Sequence, residues 1–199
     1  MAETKRHICL GFTDEPYPEG THICYLYLNE DERRQILPLY AQQAIADGEA
    51  FKYVADVASP AELPCALEAL DLARVFAAPP GQADAATTQE GYYPDGRFDP
   101  DEMLARLRAV WQECRASGLA GARFAGEMSW ALRGVPGADR ILECETRIND
   151  LIREAPMIIM CQYDINLFDG AMLYDVLNAH PVVIVGGQVL RNPFYQRYG

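Results

Sequence analysis

The chain has 199 residues, half of them hydrophobic, and its 29 acidic and 17 basic side chains give a formal net charge of −12. That length suits one domain around one core, built without metal or disulfide staples. The acidity argues against direct nucleic-acid binding, which draws on a basic stripe to displace counterions, and the apolar content without low-complexity tracts argues against disorder.

Met1 to His7 is polar and charged and lacks the apolar core of a signal peptide. After the turn-rich stretch from Asp14 to Gly20, Thr21 to Leu28 is apolar and aromatic enough for a buried strand. A helix is expected over Pro38 to Ala46, with Pro38 in its first turn, where a missing N–H costs nothing. Phe51 to Val57 alternates as a second strand, and Ser59-Pro60 starts a helix carrying Leu63, Ala66, Leu67 and Leu70 at helical spacing. Ala77 to Gln89, rich in Pro, Ala, Gly and Thr, reads as a loop.

Asp99-Pro100-Asp101-Glu102 opens the clearest helix with an N-cap, a proline at N1 and two acids favoured by the dipole. Its stripe is Met103, Leu104, Leu107, Val110, Trp111 and Cys114, and Gly118 stops it. Ala122 to Trp130 is expected as a strand, Asp139 to Ile152 as a helix and Pro156 to Tyr163 as an apolar strand. Leu173 to Ala179 follows as a short helix. Val182 to Val185, the Gly186-Gly187 turn and Val189-Leu190 then form a terminal hairpin. Strands alternating with helices predict an α/β three-layer sandwich around a mainly parallel sheet.

The longest apolar runs, such as Met157 to Cys161, are too short to cross a bilayer, so a cytoplasmic protein without membrane contact is expected. Six cysteines, at 9, 24, 65, 114, 144 and 161, never form Cys-x-x-Cys and read as reduced packing residues.

Ligands of open parallel sheets gather beyond the carboxyl ends of the strands. The first strand-loop-helix connection, Leu28 to Gln35, has three acidic side chains but no glycine or lysine. It therefore cannot cradle a triphosphate on backbone amides. In an extended run, Arg123 and Glu127 share one face while Phe124, Met128 and Trp130 share the other. Arg123 and Glu127 read either as a pair bracing a strand end or as a polar anchor beside an aromatic wall. Glu145 interrupts the stripe Ile141, Ile148, Ile152, so it needs a partner; a hydrogen bond to a neighbouring loop is the expectation, with Asn149 one turn on. His22, Cys24, Cys161 and His180 form an alternative set, for zinc or another soft metal or for thiol redox chemistry, although their spacing matches no compact metal motif. No Gly-x-Ser-x-Gly elbow is present.

Taken together, His22-x-Cys24-x-x-Tyr27, Gly48-Glu49, Tyr92 with Gly96-x-Phe98, Gly126-Glu-Met-Ser-Trp130, Glu145 with Asn149, Cys161-x-Tyr163-Asp164, His180-Pro181 and Asn192-Pro193 resemble the MEDS family of methanogen and methylotroph sensory domains, typified by a dichloromethane-responsive repressor. The resemblance runs from about residue 20 to 195. It implies a degenerate RecA-like fold, related to the circadian-clock ATPases but without their phosphate loop. It divides the chain into an N-terminal extension, 1–19, and one sensory domain, 20–199.

It further implies a non-catalytic sensor of a small hydrocarbon derivative or related metabolite, with no cofactor. Family members are usually joined to a kinase or a DNA-binding module. Here the sensory region fills the sequence, so a separate kinase or transcription regulator, or self-association into a homo-oligomer, is expected to carry the signal. On this reading Tyr27, Trp130 and Tyr163 wall a ligand pocket, and Arg123, Glu127 and Asp164 orient a polar group. A nucleotide-binding scaffold that acts by oligomerisation is a further alternative.

Overall fold

The computed structural model describes residues 6–77 and 81–196. Its strands are β1 (His7–Ile8), β2 (Tyr17–Pro18), β3 (His22–Tyr27), β4 (Ala50–Ala55), β5 (Ala83–Thr87), β6 (Ala122–Glu127), β7 (Ile158–Asp164), β8 (Val182–Val185) and β9 (Gln188–Arg191). The helices are α1 (Glu30–Ala46), α2 (Leu63–Ala69), α3 (Thr88–Tyr92), α4 (Pro100–Ala116), α5 (Ile141–Glu154) and α6 (Gly170–Ala179).

Seven strands form one sheet in the order β5-β4-β6-β7-β3-β8-β9. All neighbours are parallel except the β8–β9 hairpin. Gly186 and Gly187 turn that hairpin at φ 54° and 74°, a conformation that two successive residues with side chains resist. β3 and β7 are buried nearly throughout, as central parallel strands must be when helices cover both faces. One core lies between the sheet and α4, α5 and α6, and includes Cys24, Leu107, Trp130, Ile148, Cys161 and Tyr163. The other, towards α1 and α2, includes Tyr25, Tyr27, Leu37, Phe51, Tyr53 and Ile184. The chain is thus the expected three-layer α/β sandwich with a C-terminal hairpin.

Three elements depart from the expectations. The first helix starts at Glu30, eight residues before Pro38, because Asn29 caps it by accepting a hydrogen bond from the Glu32 amide at 3.1 Å and three acids occupy its first turn. Pro38 lies inside the helix, buried on the side that faces the sheet. Part of the expected loop 77–89 is strand β5, paired in parallel with Phe51–Ala55 at the sheet edge, where backbone pairing outweighs the weak strand preference of alanine. It leads directly into α3, whose start is closed by a capping box between Thr87 and Glu90. Residues 78–80 of that loop lie outside the described residues. Strand β6 ends at Glu127, and Ser129–Leu132 turns as a 3-10 helix.

The N-terminal segment joins the core. β1 and β2 pair antiparallel, and Ile8, Leu10 and Tyr17 are buried among the α1-side residues. All six cysteines are free thiols, with only Cys9 and Cys65 exposed.

Candidate functional site

Side chains alternate across β6, and this divides the six residues expected to form one pocket. Arg123 and Glu127 project towards α1, whereas Phe124, Met128 and Trp130 belong to the opposite core. Arg123 and Glu127 do not meet each other. At the amino end of the strand, Arg123 is fully buried, pairs with Glu49 and with Asp47 (2.5 Å), and donates to the Cys9 carbonyl at 2.7 Å. It braces the N-terminal segment, far from the carboxyl edge to which the other residues run.

At that edge Glu127 closes a polar corner on the α1 side. Its Oε1 accepts from Arg33 Nη2 and from the Tyr53 hydroxyl, both at 2.5 Å, and its Oε2 accepts from the Asp56 amide at 3.2 Å. Arg33, itself buried, also donates to Gln162 Oε1 at 3.2 Å and lies 4.8 Å over the Tyr27 ring. Tyr27 and Glu127 therefore come together, with Arg33 as their link. Asp164 caps the turn after β7 by accepting from the Asn166 amide and side chain at 2.9 and 2.8 Å. The connection from β3 to α1 is two residues long, and its helix amides are capped by Asn29. An Arg–Glu pair thus fills the corner beside a connection that has no phosphate cradle.

On the other face, Trp130 and Tyr163 border a second arrangement. The Trp130 ring packs on Tyr92, Phe98 and Tyr93 at centroid distances of 5.1, 5.0 and 5.3 Å. Tyr92 and Phe98 in turn line a cavity of about 40 Å³ between the sheet and α4–α5. Met103, Leu107, Phe124, Met128, Ile148 and Ile159 make its walls apolar, and Glu145 and Cys161 lie at its polar end.

Glu145 organises that end. Its Oε1 accepts a short hydrogen bond from the Tyr163 hydroxyl. Its Oε2 lies 3.1 Å from His22 Nε2, 3.4 Å from His180 Nε2 and 3.3 Å from Cys161 Sγ. All four residues are buried. Burial alone would raise the Glu145 carboxyl, but the facing imidazoles of His180 and His22 outweigh it and hold the group below the usual carboxylate range. Burial, followed by the charge of His180, pushes His22 down to about 4. Burial and then Glu145 push the Cys161 thiol and the Tyr163 hydroxyl up.

Of the alternative metal set, His22, Cys161 and His180 meet, and Cys24 does not join them. Cys24 is the register partner of Cys161 on the neighbouring strand, two positions along the ladder from the pair His22–Ile159, and its thiol is not among the converging ligand atoms. Glu145 takes the fourth place. Its position in an apolar stripe was the signal in the sequence, but the expected loop hydrogen bond is instead a group of buried side chains from β3, β7 and the end of α6.

The arrangement resembles solved structures of one class. The KaiC-like protein PH0186 of Pyrococcus horikoshii superimposes with a TM-score of 0.55 at 16% identity, covering 90% of this chain and 80% of that one. The flagellar accessory protein FlaH of Methanocaldococcus jannaschii does so with a TM-score of 0.59 at 12% identity, covering 94% and 84%. The fold is therefore RecA-like, of the KaiC kind. Within that class, the model of the "MEthanogen/methylotroph, DcmR Sensory domain" matches residues 21–181, and the chain belongs to the MEDS family. The transcriptional repressor DcmR of Methylorubrum extorquens is 28% identical over 129 residues, 57% of this chain and 49% of that protein. The chain thus spans about half the length of that relative, and the family to which it belongs is one of sensory domains. Among the described residues no helix is long and apolar enough to cross a membrane.

Proposed function

We propose that this domain senses a small hydrocarbon derivative held in the cavity between the sheet and α4–α5, without catalysis. The observation that carries this reading is an apolar space between the sheet and α4–α5 that ends on one buried carboxylate cluster. Binding sites for small molecules are apolar with a few convergent polar groups, and about 40 Å³ is roughly three times what one water needs. That scale selects molecules of a few heavy atoms. Tyr163 and Trp130 remain in the site, Tyr163 through Glu145 and Trp130 as the layer behind Tyr92 and Phe98. Tyr27, Glu127, Asp164 and Arg123 leave it for structural positions. Occupancy would shift the packing of α4 and α5 on the sheet, and a separate kinase or transcription regulator, or a second copy of the chain, would read that shift.

Isothermal titration with one- and two-carbon halocarbons, alcohols and amines tests this, using Ile148→Phe to fill the space. The expected result is saturable binding by at least one probe, weakened tenfold or more in Ile148→Phe. Equal affinity in that variant, or no binding across the panel by the folded protein, would overturn the assignment.

A further inference from the structure

We propose that His22, Glu145, Cys161 and His180 form a binding site for one zinc ion. The four potential ligand atoms, His22 Nε2, Glu145 Oε2, Cys161 Sγ and His180 Nε2, all lie within 4.8 Å of one another. The contacts among them are 3.1 Å (His22–Glu145), 3.4 Å (His180–Glu145), 3.3 Å (Cys161–Glu145) and 3.5 Å (Cys161–His22). A tetrahedral zinc with bonds of about 2.0–2.1 Å to nitrogen and oxygen and about 2.3 Å to sulfur sets its ligands roughly 3.3–3.6 Å apart. Four of the six pairs already lie near those spacings, and all six lie within 4.8 Å.

The outer partners of the two imidazoles point the same way. His180 Nδ1 lies 2.8 Å from the Val176 carbonyl, which can only accept, so Nδ1 carries a proton. His22 Nδ1 faces Asn149 Oδ1 at 3.4 Å. The Asn149 amide nitrogen is committed to the carbonyls of Glu145, Thr146 and Ala179, leaving its oxygen to accept from His22. With each Nδ1 turned to an oxygen acceptor, both Nε2 atoms face the same carboxylate oxygen. His180 Nε2 is buried and makes no hydrogen bond among the described residues. One cation placed among them would serve both Nε2 atoms and the carboxylate oxygen at once. Metal-bound histidines characteristically donate the other ring N–H to a carbonyl or carboxamide oxygen, as both do here. Glu145 Oε1 is held by the Tyr163 hydroxyl, which leaves Oε2 for the metal. Ligand type agrees as well: two imidazoles, a carboxylate and a thiolate suit zinc better than magnesium or calcium.

On binding, Cys161 would give up its thiol proton to solvent, and the zinc would replace the Cys161–Glu145 hydrogen bond with two metal–ligand bonds. The site shares Glu145 and Cys161 with the neighbouring cavity, and its test uses the metal alone, without a cavity ligand.

Titration of the reduced, metal-stripped protein with cobalt(II), followed by competition with zinc, tests it. One equivalent of cobalt should give intense visible absorption from tetrahedral coordination together with a thiolate-to-cobalt charge-transfer band. Zinc should displace both signals and raise the melting temperature. His180→Gln should weaken binding at least tenfold, and Cys161→Ser should abolish the charge-transfer band, while Cys114→Ser, on α4 away from the cluster, should leave both intact. A folded wild-type protein without the tetrahedral spectrum would overturn the proposal, as would a charge-transfer band that persists in Cys161→Ser. Should Cys161→Ser fail to fold, X-ray absorption of the zinc-loaded wild type decides: one sulfur with three nitrogen or oxygen neighbours supports the site, and a shell without sulfur refutes it.

Discussion

The Tyr92 hydroxyl rests on Gly126: a β-carbon at position 126 would lie 1.8 Å from that oxygen. The contact joins the short helix α3 to the centre of β6 and places the Tyr92 ring between the cavity and Trp130. Gly126→Ala must therefore displace Tyr92, and overpacking of this kind costs about 1–3 kcal/mol. Urea denaturation should show that loss. It should shrink in a Tyr92→Phe background, where the oxygen is gone, with a coupling of at least about 0.5 kcal/mol. An unchanged cost in that background would remove the contact as its cause.

Breaking the Arg33–Glu127 pair leaves the buried guanidinium with the half-exposed Glu30 as its remaining carboxylate partner. Glu127→Gln should destabilise the protein by about 3 kcal/mol, at the low end for buried pairs because Glu127 retains some solvent contact. A loss below about 1 kcal/mol would mark the pair as an ordinary surface one. Since the pair fills the corner beside the β3–α1 connection, magnesium-ATP should leave the melting temperature of the wild type unchanged. A saturable rise would restore the reading of a nucleotide-binding scaffold.

Asp99 caps α4 by accepting from the amides of Asp101 and Glu102 at 2.9 and 3.4 Å. Those hydrogen bonds, with Arg140 and Arg97 adding their charge, outweigh desolvation and hold its carboxyl below the usual carboxylate value. A carboxyl with a depressed folded-state pKa stabilises the protein above its unfolded pKa, and that stabilisation disappears as pH falls through the folded value. Asn also caps well, so wild type should exceed Asp99→Asn in melting temperature at pH 7, and the difference should vanish in acid. A difference that is constant with pH would show that the charge contributes nothing.

Most of the layer architecture was legible because buried strands and capped helices leave local marks, as at His22–Tyr27 and Asp99-Pro100. Pro38 misled because proline normally excludes itself from helix interiors, whereas here the cap at Asn29 and packing on the sheet sustain the helix through it. Strand β5 was hidden because its alanines carry little strand signal until β4 offers a partner. The site was harder to read. The rule that ligands gather at carboxyl ends locates an edge but not a face, so Tyr27 and Glu127 were grouped with Tyr163 and Trp130 across the thickness of the sheet. Glu145 announced only that it needed a partner. That its partners would be His22 and Cys161, paired strands away from α5, and His180 beyond α6 is a property of the assembled fold.

We propose that the cavity on the α4–α5 face receives a small apolar ligand. Methyl-labelled protein titrated with dichloromethane and other one- and two-carbon probes tests it most directly by NMR. Saturable shifts are predicted for Leu107, Met128, Ile148 and Ile159, with Leu37 and Ile184 on the opposite face unmoved. Shifts centred on Leu37 and Ile184, or none at any probe concentration, would contradict the account.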